Sequence, residues 1–160
     1  VERGLFKEMG FQSPKEFLGY RLVAKNIENV GDNAVGAAKN LLSLKKLIDD
    51  QVLALTQPID EEVHTGVLQF HSFGHRLLED SLKALFKRDY NLADETISLF
   101  ISTGLQLEKD AVHLTFSKKM DPNVASVLRL VLDNTRKMME YARDIAEVTL
   151  NRTVEEMSMP

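Results

Sequence analysis

Two carboxylates, Glu28 and Asp32, stand four positions apart in the stretch Ile27-Glu28-Asn29-Val30-Gly31-Asp32-Asn33-Ala34. On a helix, side chains at i and i+4 are neighbours, about 5–6 Å apart at Cβ. Two acids so close repel unless a cation sits between them, and a hard cation takes oxygen ligands. Spacing alone leaves two readings open: a solvated charged face, or a cation site. With Ile27 at zero and about 100° per residue, Glu28 and Asp32 fall at about +100° and +140°. Val23, Val30, Ala34, Ala37, Leu41, Leu44 and Ile48 centre at about −55° on the same wheel. The acids therefore belong to the outer face or its margin.

A second acidic stripe runs near the C-terminus, through Asp133, Glu140, Asp144 and Glu147, with Arg136 and Arg143 beside it. Either it is solvated or it attracts cations. His64, His71 and His75 share one edge of another helical stretch, and His71 and His75 form an i,i+4 pair of the kind that holds zinc or iron. No Glu follows the first His directly, so this is not the metalloprotease motif. Asp110 and His113 supply one acid-to-His step of three. A ferritin-like di-iron site needs two such steps from Glu and further carboxylates inside the bundle. A carboxylate-bridged di-metal oxidase using His71, His75, Asp110 and His113 is the enzymatic alternative. A purely structural or oligomerisation module is the bland one. No Ser-His-Asp constellation can be placed, and no glycine-rich phosphate loop follows a strand.

The elements that must position these groups are helical. The 160 residues suit one domain, 1–160, able to bury about 70% of its unfolded surface. The 24 acidic against 20 basic residues give a net charge of −4, which argues against a nucleic-acid-coating protein. The absence of cysteine excludes disulfides, thiol catalysis and thiolate metal sites. No apolar run approaches the roughly 20 residues a membrane span needs. Glu2, Arg3, Lys7 and Glu8 do not read as a signal peptide.

Ser13-Pro14-Lys15-Glu16 reads as a capping box with proline at the first helical position. Pro58-Ile59-Asp60-Glu61-Glu62 places acids at the positive end of a helix. Asp121-Pro122 is an N-cap followed by proline, and Asn91-Leu92-Ala93-Asp94 reads as a fourth start. Between these marks the apolar steps are three and four. The spacing predicts four long helices near 14–56, 60–88, 91–118 and 122–155, in an antiparallel up-down all-α bundle, with a short extra helix in an extension over 1–12. The first helix, about 65 Å long, must kink, split or overhang, with Gly31 and Gly36 as weak points. Met138 and Met139 lie on the packing stripe and read as core.

A faint repeat relates 14–56 to 122–155. Arg21-Leu22-Val23 returns as Arg129-Leu130-Val131, and at the same shift Pro14, Asn26, Ala34, Ala38 and Leu42 meet Pro122, Asn134, Ala142, Ala146 and Leu150. Proline, arginine and asparagine are not stripe residues, which favours a true duplication.

Lys25-Asn26-Ile27-Glu28-Asn29-Val30-Gly31-Asp32-Asn33-Ala34 resembles the signature helix of the PhoU family of phosphate-uptake regulators. Leu82-Lys83-Ala84-Leu85-Phe86-Lys87-Arg88-Asp89 with Asn91-Leu92-Ala93 resembles a middle helix of that family's three-helix unit and the turn after it. Arg136-Lys137-Met138-Met139-Glu140-Tyr141-Ala142-Arg143-Asp144-Ile145-Ala146-Glu147 looks like a second signature. The resemblance runs from about Arg21 to Leu150. It implies a cytoplasmic, homodimeric, non-enzymatic all-helical regulator with a divalent or trivalent ion, iron or zinc first, on its acidic helices. Its partners would be a phosphate transporter or a sensor kinase, with membrane association only through them and no direct nucleic-acid binding by this segment. In some archaeal members a DNA-binding domain is fused in the same chain, and transcription regulation is the output. By position, Glu28 and Asp32 match both signature acids. Glu140 matches the second signature's Asp, Arg136 replaces its Glu, and Asp144 and Glu147 extend the stripe. His71 and His75 remain an additional metal pair.

Overall fold

The computed structural model describes residues 8–11, 13–49 and 59–158. Among them the chain is all-helical, with no strand. α1 spans Pro14–Asp49 and α2 Glu61–Lys87; α3, Tyr90–Leu99, leads through a π-helical turn at Phe100–Gly104 into α4, Leu105–Ser117; α5 spans Pro122–Ser158. The expected short helix before Pro14 and the stretch 50–56 of the first helix fall mostly outside the described residues.

Local chemistry explains the ends. Ser13 Oγ accepts from Glu16 N at 3.1 Å, and Asp60 Oδ1 accepts from Glu62 N at 2.9 Å. Asp121 Oδ1 accepts from Asn123 N at 2.8 Å, leaving Pro122 where its missing N–H costs nothing. α2 closes on Arg88, whose φ of 56° puts a non-glycine residue in the left-handed region. The N–H groups of Arg88 and Asp89 then satisfy the carbonyls of Leu85 and Ala84. The next helix starts one residue earlier than expected, at Tyr90, because Asp89 is its N-cap and accepts from Leu92 N at 3.0 Å.

The expected single helix over 91–118 is interrupted by the π turn. Built as an alanine, Gly104 would place its Cβ 2.9 Å from Met139 Cε and 3.3 Å from Phe73 Cε1. The turn thus presses bare backbone onto the core, as π-bulges do where one extra residue is accommodated.

That core joins Val63, Val67, Phe70, Phe73 and Leu77 of α2 to Phe100, Ala111, Leu132, Met139 and Ala142. Met138 and Met139 are buried, as the stripe required, while Leu78 and Leu82 of α2 are only half-buried. α5 is the central helix, packed on every other one.

α1 departs most from expectation. Among the described residues its backbone approaches only α5. Val23 joins Ile145 and Leu85 in a small cluster, and with Asn26 it completes the buried residues of α1 among those described. Ala34 and Leu41, expected to face inward, are exposed, whereas Asn33, Ala37, Asn40 and Leu44 are half-buried. The helix runs unbroken through Gly31 and Gly36. No described helix is long and apolar enough to cross a membrane.

Candidate functional site

Glu28 and Asp32 lie one turn apart on the solvent side of α1, both exposed. Neither forms an ion pair among the described residues. Their exposure agrees with the outward placement that the helical wheel gives them.

The repeat-related stripe on α5 is different. Arg136 Nε lies 3.1 Å from Glu140 and its Nη1 lies 3.6 Å from Glu108 of α4. Lys137 Nζ is 2.8 Å from Asp133. Arg143 Nη2 is 2.8 Å from Asp144, and its Nε is 3.4 Å from Glu147. Hydrogen bonding to Glu140 raises the Arg136 pKa further above its ordinary value, and bonding to Asp144 does the same for Arg143. Every acid of this stripe therefore has a cation at hand. Three cations serve the four acids: Arg136 takes Glu140, Lys137 takes Asp133, and Arg143 takes both Asp144 and Glu147.

The histidine edge is engaged by neighbours. His71 Nδ1 is 3.0 Å from Thr135 Oγ1, and His75 Nδ1 is 3.8 Å from Glu79. Asp110 accepts from Gln106 Nε2 at 2.9 Å. His64, His71, His75 and His113 are all exposed. Among the described residues no three His, Asp or Glu side chains converge closely enough to hold one ion. The four residues proposed for a di-metal oxidase are thus not brought together.

Two concavities lie elsewhere. A largely apolar groove of about 260 Å³ runs between the start of α1 and the far end of α5, floored by Gly19, Leu22, Leu85 and Val148. A smaller cleft of about 170 Å³ between α4 and α5 is lined by Glu108, Arg129, Asp133 and Arg136 together with Val112 and Leu132. Arg129 sits 4.2 Å over the Phe116 ring, which orients it along the cleft wall.

Sequence reasoning missed Asn26. It is 3% exposed, and its Nδ2 has no hydrogen-bond partner among the described residues. Its place two residues before Glu28 on the packed face of α1 was the available signal. No family model, curated protein or solved structure matches the chain.

Proposed function

We propose that this chain is a PhoU-like, non-enzymatic regulatory domain, an up-down bundle of long helices that binds a metal ion at Glu28 and Asp32 and acts through a protein partner in phosphate uptake or signalling. The observation that carries it is the contrast between the two acidic stripes. Glu28 and Asp32 are exposed and unneutralised, while the acids of α5 are paired with Arg136, Lys137 and Arg143. An ion would relieve the repulsion on α1; on α5 it would have to displace guanidinium groups.

Side-chain correspondences support the up-down course. A Cβ on Gly66 would meet Leu114, whereas one on Gly104 would meet Phe73, so advance along α2 is retreat along α3 and α4. Gly19 lies against Val148 and Val23 clusters with Ile145, the same opposition for α1 and α5.

Two carboxylates with no third ligand nearby suit a weakly held ion whose coordination is completed by water or by a partner's oxygens. Binding would then stabilise whichever docked state supplies those oxygens, which is how an ion biases a two-state regulator. The metal-stripped chain, brought to dialysis equilibrium against buffer holding zinc or ferric ion and assayed for bound metal by elemental mass spectrometry, tests this. The parent and Glu140→Ala/Glu147→Ala should retain metal and Glu28→Ala/Asp32→Ala should not. Equal retention by that last variant would remove the site.

A further inference from the structure

α1 is held in two different ways on either side of Asn26. Before it, Val23 packs with Leu85 and Ile145, and Gly19 lies against Val148. After it, none of the described side chains is buried. The half-buried ones include Asn33, Gly36, Ala37 and Asn40, and only Val30 and Leu44 among them are large and apolar. None belongs to an apolar cluster, whereas α2 buries a residue on nearly every turn. Among the described residues no side-chain hydrogen bond or ion pair joins this part of α1 to another helix; Lys45 pairs with Asp49 of α1 itself.

The sequence shows why the hold is weak. Val23, Val30, Ala37 and Leu44 recur every seven residues, and so do Asn26, Asn33 and Asn40. Steps of three and four in this order are the a and d positions of two coiled helices, here with asparagine at successive d positions. Asparagine in such a seam fixes which helix pairs with which at a cost in stability. On the opposed course of α1 and α5, Asn33 falls level with Asn134 and Asn40 with Val127. Gly36 and Ala37 let the two backbones run close, but a close approach that buries little apolar side chain adds little stability.

We infer that residues 27–49 of α1 form a releasable strap: they leave α5 together, with Asn26 as the boundary, while the start of α1 and the core of α2–α5 stay packed. A helix of ordinary composition draws most of its stability from packing, and this one carries Gly31 and Gly36, so the released strap also loses helix. Release is then a cooperative local unfolding, and it makes α1 the element whose population a binding event shifts most readily. Glu28 and Asp32 ride on the strap, yet its release is read in metal-free protein and stands whether or not an ion binds there.

Hydrogen exchange of the intact, metal-free chain, resolved by NMR, tests this. Amides 30–41 should exchange through one shared opening and be about a hundred-fold less protected than amides 67–77 of α2. Asn40→Leu, which sets an apolar side chain level with Val127, should slow the strap's amides about five-fold. Equal protection of the two helices in the parent, a comparison that needs no variant, overturns the inference. So does protection that declines smoothly over 27–49, which marks fraying from the helix end. An Asn40→Leu chain that folds but exchanges at the parent's rate overturns it as well.

Discussion

His71 Nδ1 lies 3.0 Å from Thr135 Oγ1, and the Thr135 hydroxyl proton is already committed to the Val131 carbonyl at 2.9 Å. Thr135 is buried and His71 exposed, so the contact pins an outward side chain of α2 to the interior of α5. With its proton engaged, the hydroxyl offers only a lone pair, and Nδ1 must be the donor.

The neutral His71 ring therefore carries its proton on Nδ1 and leaves Nε2 free as an acceptor. Nitrogen-15 NMR of the neutral ring should show that tautomer in the parent, and Thr135→Val should abolish the preference. Because one hydrogen bond between helices is lost while His71 can turn to water, the variant should lose about 1 kcal/mol in urea unfolding. An unchanged tautomer would show that the hydroxyl does not set it.

Glycines at two places on the helices should respond oppositely to alanine. At Gly36 a Cβ meets nothing within 4 Å, so Gly36→Ala should stabilise by about 0.5–1 kcal/mol through helix propensity. At Gly74 it would meet Met138 Cε and Thr135 Cγ2 at 3.0 Å and Met139 Cγ at 3.1 Å. Overpacking of about 1–3 kcal/mol exceeds the propensity gain there. Gly74→Ala should therefore lower the denaturation midpoint while Gly36→Ala raises it; two shifts of the same sign would contradict the packing.

Lys118, at the end of α4, reaches back to the start of α2, 3.2 Å from Asp60 and 2.6 Å from Glu62. Its hydrogen bonds to those acids, Glu62 first, raise the Lys118 pKa above 10.5, and the Lys118 hydrogen bond lowers the Asp60 pKa below 3.8. A lowered acid contributes stability that is present above the unfolded carboxyl range and is lost as pH falls through the folded value. A raised lysine contributes stability that is lost as pH rises through its folded value. Lys118→Met should therefore melt below the parent near neutrality. The difference should shrink below about pH 4 and above about pH 10.5, and with added salt, because these groups are solvent-exposed. A difference independent of pH would assign the effect to lost packing of the lysine stem.

The parts of this fold legible in sequence are those written in local chemistry. Asp60, Asp121 and Ser13 announced three helix starts because a capping side chain acts on N–H groups two or three residues away. Val63, Val67 and Phe70 announced the core face of α2 because their period matches the helix. The π turn at Phe100–Gly104 was not legible, since its cause is the approach of Met139 and Phe73 from other elements. The division of α1 was illegible for the same reason: Ala37 and Leu41 are equally apolar, and only the position of α5 makes one half-buried and the other exposed. At the candidate site, the outward direction of Glu28 and Asp32 followed from the wheel. The ion pairs of the α5 stripe are local too, each within four positions of the chain; only the approach of Glu108 to Arg136 depends on a different helix.

Asn26 supplies the last test. It sits among the packed residues of α1, 3% exposed, with Nδ2 unpartnered among the described residues. A buried donor without an acceptor costs about 1–3 kcal/mol, whereas an apolar side chain of similar shape carries no such penalty. Asn26→Leu should therefore raise the unfolding free energy by about 1 kcal/mol, after part of the gain is offset by the slightly larger volume. Guanidinium unfolding with an unchanged slope would confirm that the native state, not the denatured one, has been altered. A destabilised variant would mean that the amide is satisfied in solution.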